Sequence, residues 1–599
     1  MTKTRRLVEA KADLAYVLRR IARLLRPPVT ITPAPDNVIF DRDVEIPMRD
    51  GTILRANIFR PTDQGRYPVI MCAHPYGKDH LPAPGKPLFQ YRLMQQSMPI
   101  THSAWTGWEG PDPSQWVPQG YVVVNLDLRG FGHSQGTSSL LSEQEGEDYH
   151  DAIQWVAQQP WSTGKVGLNG VSYLALAQWR AAATRPPALA AICPWEGFSD
   201  LYRDLARPGG IQENGFFKLW SQGVKRSAHT QLCLREEQVA RENFDAWWQA
   251  CVPDLEAIGV PALICASFSD QLLHTGGSFR AFDRIGSKQK WLYAHRGPKW
   301  GVYYSAEAQA LQTRFFDHFL KRKPNGFEQT PAVHINVHAT RETVHCVLKT
   351  NHWPPEDVQP VPLFLHPEHR LEPSPATQGT TAFDMRRGRT SFLWTVPRDM
   401  MLIGKMRLKL FVEVIGADDV LIFASVHKFS DGREVAFEGS YGFPLDNVTK
   451  GWLKASKRAL GPAAEIIWDV PLGFEKKELL SPGEIVAIDV PLMESATFFQ
   501  AGDLMRLDIQ GRWPSPFNPL TGNFPAAYQK SDPGTCLVHM GGEYPAQLIV
   551  PMMPARGIHA GPTAPATASL TVGLGAEQQE SPPTPHFSGA RQAVCFTPK

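Results

Sequence analysis

The stretch KVGLNGVSYLALAQW, from Lys165 to Trp179, predicts a strand that turns sharply into a helix. Its first part is short and apolar, as in a buried strand, and its last part is rich in Leu and Ala, as in a helix. Gly170 gives the turn a position without a Cβ, and Ser172 stands at its apex. This is the pattern of a nucleophile elbow, which lifts a serine oxygen over the end of a sheet. A Gly-x-Ser also occurs in ordinary turns, so the surrounding sequence must decide.

The sequence around this elbow alternates strand-like and helix-like segments from Asn37 to about Leu320. Alternation of this kind with buried strands is typical of a mainly parallel sheet flanked by helices. Between residues 196 and 258 the segments are helical and aromatic, which predicts a helical cap over the carboxyl edge of the sheet. After Pro331 alternating segments separated by turns predict a β-sandwich or jelly roll.

The two ends of the chain differ from the rest. The first 26 residues carry apolar side chains at helical spacing, and their eight basic and two acidic residues give a net charge of +6. From about Pro562 the chain is rich in Pro, Ala and Thr, which predicts a poorly ordered tail. The predicted organisation is a basic amphipathic helix (1–35), a first part of an α/β-hydrolase core (36–195), the cap (196–258), a second part of the core (259–330), a jelly-roll domain (331–560) and the tail (561–599).

The composition excludes several classes of protein. The 599 residues are 43% hydrophobic and 20% charged with a net charge of +2, which is typical of a multidomain globular protein and gives no reason to expect a nucleic-acid partner. The eight cysteines contain no CxxC pair, and Cys72 and Cys265 lie in apolar runs, so we expect reduced core thiols. We expect no metal, no cofactor and, without a signal peptide or membrane span, a cytoplasmic location.

The basic N-terminal helix leaves three interpretations open. Its apolar stripe fits docking on its own protein or on a sister subunit in a homo-oligomer. Its basic face also fits a membrane surface.

Two further residues complete a candidate catalytic set with Ser172. Asp270 ends the strand-like run VPALICASFSD, and His295 ends KWLYAH. Reacting groups of an open α/β sheet lie at the carboxyl ends of its strands, and the chain order Ser, Asp, His is that of the α/β-hydrolases. His295 would accept the proton of Ser172, and Asp270 would orient the imidazole. Individually these residues also fit a turn, a helix N-cap and a structural histidine.

A rival histidine stands four residues after Asp270. We expect His274 on the following helix, one turn away from the sheet edge, where it would bond Asp270 without reaching Ser172. For the oxyanion, the backbone N–H of Tyr173 and the phenol of Tyr76 in AHPYGKD are candidate donors, although Tyr76 also fits simple packing under the cap. Aromatic residues of the cap are candidates for the substrate pocket: Phe216, Phe217, Trp220 and Trp248.

Several motifs together resemble one known family. HPYGKD, DLRGFGHSQG, the elbow segment and ALAAICPWEGFSDLYRD, with LSPGEIVAIDVPLMESATFFQAGDLMRLDI further on, are similar to the cocaine-esterase-like (CocE/NonD) serine hydrolases, which are related to X-Pro dipeptidyl peptidases. The resemblance runs from about residue 40 to 555. It implies an α/β-hydrolase domain, a helical cap and a jelly roll. It also implies Ser172 as nucleophile, Asp270 and His295 as its partners, and Tyr76 with the Tyr173 amide as the oxyanion hole.

The sequence departs from the family pattern at two places. The family elbow usually reads GxSYxG, whereas Ala175 holds the last position here. Alanine is small enough for close packing of helix on strand, so we expect little effect. The histidine region often reads GPWSH, whereas this chain has HRGPKWG, with His295 ahead of the Gly-Pro.

The sequence favours a serine hydrolase that cleaves a small-molecule ester or amide through an acyl-enzyme. A second hypothesis is an acyltransferase that passes the acyl group to an amine or alcohol. A third is an X-Pro or α-amino-acid-ester hydrolase, in which Glu196 and Asp200 would hold a substrate ammonium. A binding protein on an inactive hydrolase scaffold is disfavoured by the intact catalytic set.

Overall fold

The structure is a computed structural model that describes residues 7–9, 11, 14–94, 96–462, 467–518 and 524–555. The predicted tail at 561–599 lies outside these residues, as does part of the predicted N-terminal helix. No helix of the described residues is long and apolar enough to cross a membrane.

The first half of the described chain is built on a mainly parallel sheet. Its strands order as β2, β3, β6, β4, β7, β8, β9 and β10, with β2 and β3 antiparallel and every pair from β6 to β10 parallel. The strand bounds are β1 (Val29–Thr32), β2 (Val38–Pro47), β3 (Ile53–Pro61), β4 (Tyr67–His74), β5 (Ile100–Ser103), β6 (Val122–Asp127), β7 (Ser162–Val171), β8 (Leu189–Trp195), β9 (Ala262–Ser267) and β10 (Lys290–His295).

The strands of this sheet are continuous apolar runs because both of its faces are covered. Every residue of β6 and of β9 is buried, as expected for parallel strands between layers of helices. Since β7, β9 and β10 run in the same direction, their carboxyl ends meet at one edge of the sheet. Ser172, Asp270 and His295 all stand at this edge.

The helices fall on the faces of the sheet and in the segment between β8 and β9. That segment, residues 196–258, contains three α-helices and no strand, and all of its residues are described. The helix bounds are α1 (Leu14–Leu25), α2 (Phe89–Met94), α3 (Pro113–Trp116), α4 (Glu143–Ala157), α5 (Tyr173–Ala183), α6 (Phe216–Ser227), α7 (Leu234–Ala240), α8 (Ala246–Ala250), α9 (Thr275–Arg284), α10 (Lys299–Tyr303) and α11 (Ala306–Lys321).

The second half is built from strands that pair mainly antiparallel. The long strand β17 is central, because it pairs with β21, β23 and β24. The bounds are β11 (Val333–His338), β12 (Val344–Thr350), β13 (Gln359–His366), β14 (Arg370–Glu372), β15 (Gly379–Asp384), β16 (Arg389–Thr395), β17 (Met400–Ile415), β18 (Leu421–Ser430), β19 (Arg433–Val435), β20 (Thr449–Lys454), β21 (Val486–Phe499), β22 (Leu504–Gln510), β23 (Thr535–Met540) and β24 (Gln547–Pro554).

The two halves share a sheet edge. Strand β11 runs parallel to β10, with Leu292 paired to Val333 and Ala294 to Ile335. The central sheet therefore continues past residue 331, where the sequence predicts the start of a separate β domain. The alternating pattern of β11 is typical of a sandwich strand, and for that reason the sequence places it in the β domain. In the structure β11 nevertheless pairs with the outer edge of β10.

Helix α1 docks on the protein through a polar side rather than through its apolar stripe. Tyr16 and Arg20 are buried, and both donate hydrogen bonds to the carbonyl oxygen of Gly442. The Arg20 guanidinium also lies 4.8 Å from the ring centroid of Phe443. The apolar stripe that predicts a docked helix therefore faces away from these contacts.

Candidate active site

Ser172 lies in a strained turn between β7 and α5. Its backbone angles, φ 59° and ψ −117°, are in a region that residues with a Cβ rarely adopt. Its N–H donates to the carbonyl oxygen of Trp195 over 3.0 Å, which holds the turn against β8. A Cβ added at Gly170 would lie 2.5 Å from the Cβ of Leu174, so this turn requires glycine there. The sequence therefore folds into an elbow that leaves the Ser172 hydroxyl at the sheet edge.

The alanine that departs from the family elbow is accommodated by a neighbouring glycine. A Cβ added at Gly197 would stand 2.7 Å from the Cβ of Ala175. Helix α5 and the segment after β8 therefore approach as closely as they do because one of the two facing residues lacks a side chain.

A chain of short contacts runs from Ser172 to a histidine and an aspartate. The Oγ of Ser172 lies 3.2 Å from Nε2 of His274, and Nδ1 of His274 lies 2.7 Å from Oδ2 of Asp270. Both partner side chains are almost fully buried, at 1% and 2% exposed. Burial opposes ionisation of Asp270, but Lys299 and His274 lower the pKa of its carboxyl to about 2. An ionised Asp270 accepts a hydrogen bond from the Nδ1–H of His274, which leaves the lone pair of Nε2 facing Ser172.

The expectation that His295 joins Ser172 and Asp270 is wrong in its geometry. His295 lies at the end of β10, where its Nε2 is 3.2 Å from Oε1 of Glu196. The expectation that His274 stays one helical turn from the sheet edge is wrong as well. Residues 268–274 form turns, and α9 begins only at Thr275. The residues from Asp270 to His274 therefore form a turn that brings His274 back to the sheet edge, and they precede the helix.

His295 and Glu196 form a buried pair whose hydrogen bonding does not suit a metal ion. Glu196, Cys265 and His295 hold potential ligand atoms within 4.8 Å of one another. The N–H of Gly297 donates to Nδ1 of His295 over 3.1 Å, so the neutral ring carries its proton on Nε2, the atom that faces Glu196. No ring nitrogen then has a lone pair for a metal.

A second acidic group, Asp43, Asp79 and His133, also brings ligand atoms together. Both of its carboxylates already contact the ammonium of Lys78, at 2.8 Å from Asp43 and 2.5 Å from Asp79. A bound cation there would have to displace Lys78, so this group is better described as an ion-pair network.

A buried lysine that the sequence analysis did not single out stands beside Asp270. Lys299 is fully buried, and its Nζ lies 2.7 Å from Oδ2 of Asp270 and 3.1 Å from Nδ1 of His274. It also donates to the hydroxyl of Tyr441 over 3.2 Å. Burial opposes its charge, but Asp270, Glu196 and Glu109 raise the pKa of Lys299 above its usual value. The departure of HRGPKWG from the family pattern is the only sequence signal that points to it.

A buried glutamate is the second residue missing from the sequence analysis. Glu109 has a φ of 64°, and its carbonyl oxygen accepts a hydrogen bond from the N–H of Val171, next to the elbow. Its Oε1 accepts from Nε1 of Trp300 over 3.1 Å. Burial raises the pKa of Glu109 to about 8. No pattern in the sequence around Glu109 indicates its burial or this shift of its pKa.

Both candidate oxyanion donors lie next to Ser172. The phenol of Tyr76 lies beside the Ser172 side chain, and burial raises the pKa of Tyr76 well above its usual value, so the phenol keeps its proton. Tyr173 is the first residue of α5, so its N–H is one of the four that a helix leaves without an intrahelical acceptor. Its side chain is occupied elsewhere, because its hydroxyl donates to Glu145 over 2.7 Å.

Two of the four predicted pocket residues contact the surroundings of the site. The ring of Trp220 lies 6.3 Å from that of Tyr173, and Phe216 lies 6.4 Å from Tyr441. Phe217 is fully buried behind them and contacts Trp220. Trp248 is also fully buried, but it packs 5.4 Å from Tyr202 and donates to the carbonyl of Arg241. These contacts make Trp248 a core residue of the helical segment 196–258.

The chain matches known families over most of its length. The sequence model of the X-Pro dipeptidyl-peptidase (S15 family) matches residues 50–298, and that of the X-Pro dipeptidyl-peptidase C-terminal non-catalytic domain matches residues 325–549. A cocaine esterase from Rhodococcus sp. is 22% identical over 85% of this chain and 98% of its own. A putative Xaa-Pro dipeptidyl-peptidase from Bacillus anthracis is 24% identical over 44% of this chain and 48% of its own.

Solved structures give the same result. A CocE/NonD family hydrolase from Staphylococcus aureus has a TM-score of 0.82 and 35% identity, covering 86% of this chain and 94% of its own. An α-amino acid ester hydrolase has a TM-score of 0.66 at 17% identity, covering 87% of this chain and 98% of its own, and shares the fold.

These relatives define the class of protein. The chain is an enzyme, a serine hydrolase whose relatives are named as esterases and dipeptidyl-peptidases. Within that class it belongs to the CocE/NonD hydrolase family, and its second half is the C-terminal non-catalytic domain. The resemblance read from the motifs is confirmed.

Proposed function

We propose that this enzyme cleaves an ester or amide bond through an acyl-enzyme on Ser172, with His274 as the base and Asp270 as its orienting carboxylate. The observation that carries the proposal is the continuous chain of contacts from Ser172 Oγ through His274 to Asp270 at the elbow. In this account the parallel-sheet half is an α/β-hydrolase domain, and the β-rich half is a jelly roll.

The reaction follows from the positions of the protons. His274 Nε2 accepts the Ser172 proton as Oγ forms a bond to the substrate carbonyl carbon. The negative charge that develops on the carbonyl oxygen is stabilised by the Tyr76 hydroxyl and the Tyr173 N–H. Collapse of this intermediate breaks the bond to the leaving group, which takes the proton from His274. Water then attacks the acyl-enzyme by the same steps and releases the acid.

Removal of the Tyr76 hydroxyl should slow the reaction. Replacing Tyr76 with Phe removes one oxyanion donor and keeps the ring, so kcat should fall by roughly 10²-fold. The measurement is steady-state hydrolysis of an activated ester, with Tyr67→Phe as a control, because the Tyr67 hydroxyl bonds only Asp63 at the surface. An unchanged kcat in Tyr76→Phe would assign Tyr76 to packing.

Lys299 has a separate role in our proposal, as a positioning residue that keeps His274 neutral. Burial first, and then the positive charge of Lys299, lower the pKa of His274 below its ordinary value of 6.5. A base must be neutral to accept a proton. The fall of kcat/KM towards acidic pH should therefore lie below pH 6.5 in the wild-type enzyme.

Replacing Lys299 with Met should raise the pKa of His274, because Asp270 then acts on it without the opposing ammonium. The acidic limb of kcat/KM should move to higher pH by at least about one pH unit. The groups around His274 that remain charged or titratable are Asp270, Glu196, Glu109 and Tyr441. Lys290→Met is the matched control, since its Nζ donates to backbone carbonyls of Phe282 and Asp283. A limb that stays in place in Lys299→Met would refute this role.

The alternative of an ammonium-binding hydrolase finds little support in the two carboxylates that suggested it. Asp200 Oδ2 lies 2.7 Å from the guanidinium of Arg203. Glu196 faces His295 and accepts from the hydroxyl of Ser440 over 3.0 Å. Asp200 is therefore already matched by a cationic group, and one oxygen of Glu196 is matched by a donor hydroxyl.

Substrate class is the part of the proposal that an assay must test. Purified enzyme should hydrolyse short-chain esters to the free acid, measured by mass spectrometry of the products. Adding an amine or alcohol acceptor separates hydrolysis from acyl transfer, because a transferase would give mainly the acyl-acceptor product. A lack of turnover with any ester or amide would contradict the proposed function.

We retain a cytoplasmic location as part of the proposal. It is supported by cysteines in the core, such as Cys72 and Cys265, that form no disulfide.

A further inference from the structure

Helix α1 presents its most hydrophobic side to solvent. Leu14, Leu18, Ile21 and Leu25 recur at the spacing of one helical stripe and are 73%, 56%, 40% and 67% exposed. Exposed apolar residues in such a row mark an interaction site more often than single exposed side chains do. This stripe lies opposite Tyr16 and Arg20, the two side chains that bind Gly442.

The short helix α2 extends the exposed apolar surface. It packs against α1 and carries Phe89 and Leu93, one helical turn apart and 64% and 50% exposed. We name this surface the helix patch, defined by six residues: Leu14, Leu18, Ile21, Leu25, Phe89 and Leu93. Both helices are held in place, since α2 is anchored by the fully buried Tyr91 and α1 by Tyr16 and Arg20.

The charges of helix α1 itself are of one sign. Residues 14–26 contain four arginines and no acidic residue, and Arg19 and Arg26 are exposed. A second copy of the chain docked on this surface by a two-fold axis would bring the same arginines towards one another. Anionic lipid headgroups instead complement them, and acyl chains accept the leucines and phenylalanine.

We propose that the helix patch docks the enzyme on a negatively charged membrane surface, with α1 lying in the plane of the headgroups. The anchor of α1 on Gly442 is one residue from Tyr441, which contacts Lys299 beside the Ser172 site. Helix α1 therefore contacts the loop that borders the active site through the side opposite to the helix patch. This inference does not depend on the proposed reaction.

The test is co-sedimentation of the full chain with phosphatidylcholine vesicles made with or without phosphatidylglycerol. Wild-type protein should partition onto the anionic vesicles at least about tenfold better, and high salt should weaken the binding. Leu18→Glu with Ile21→Glu should abolish it. Leu219→Glu with Val239→Glu adds the same charge at equally exposed apolar positions of α6 and α7 and should retain it. Thermal unfolding and turnover of a soluble ester confirm that both variants are folded.

Three results would overturn the proposal. The first is wild-type protein that does not bind anionic vesicles, which is also the result expected if another segment of the chain covers the patch. The second is equal loss of binding in the two double variants. The third is a wild-type dimer in sedimentation velocity that Leu18→Glu with Ile21→Glu converts to monomers, without vesicle binding, which would identify the patch as an interface between copies.

Discussion

Replacing His274 with Ala should lower kcat by at least about 10³-fold, because the serine hydroxyl is a poor nucleophile without a base. Among the residues that the structure describes, the imidazole of His274 lies within reach of Ser172, at 3.2 Å, and Asp270 is its acidic neighbour at hydrogen-bond distance. The measurement is kcat on an activated ester across pH, with protein that has a wild-type thermal transition.

His295→Gln is the matched control for this variant. His295 is as deeply buried as His274, but its ring faces Glu196 rather than Ser172. Glutamine retains an N–H donor for Glu196, so we expect kcat within a few-fold of wild type and a loss of stability of about 1–3 kcal/mol. Loss of activity in His295→Gln with full activity in His274→Ala would reverse the assignment.

Replacing Ser172 with Ala should abolish turnover, again by at least about 10³-fold in kcat. The side chain is partly exposed and its hydroxyl contacts only the groups of the site, so its removal should leave the thermal transition unchanged. Ser139→Ala, at an exposed serine that bonds Ser142, should leave kcat unchanged. A folded Ser172→Ala enzyme that retains activity would contradict the acyl-enzyme mechanism.

The positions of Ser172 and Asp270 were predictable because strand direction alone fixes them. Residues that directly follow buried parallel strands must meet at one sheet edge, whatever the details of the loops. The same argument places His295 at the edge but says nothing about where its ring points. The structure directs that ring to Glu196, the residue after β8, and β8 and β9 separate β10 from the elbow strand β7.

The position of His274 could not be predicted from the sequence, because it depends on a local turn that leaves no periodic pattern. Asp270 and His274 are four residues apart, a spacing that fits a helix as well as the turns that the structure contains. Only the hydrogen bonds from the N–H groups of Leu273, His274 and Thr275 to the carbonyl of Asp270 define the path. Lys299 and Glu109 were hidden for a similar reason, because burial of a charge follows from tertiary contacts.

The orientation of α1 could not be predicted from the sequence either. Its apolar stripe was readable, and on hydrophobic burial alone that stripe should face the protein. Two polar side chains, Tyr16 and Arg20, instead find an acceptor in Gly442, and this specific contact sets the rotation of the helix.

The central claim is that His274 activates Ser172, and covalent labelling tests it most directly. A fluorophosphonate reacts with a serine hydroxyl only when a base removes its proton, so the rate of labelling measures activation without requiring the natural substrate. We predict one adduct, located on Ser172 by mass spectrometry of the peptide, that forms at similar rates in wild-type enzyme and His295→Gln and at least about 10³-fold more slowly in His274→Ala. An adduct on another residue, or undiminished labelling of Ser172 in His274→Ala, would contradict the account.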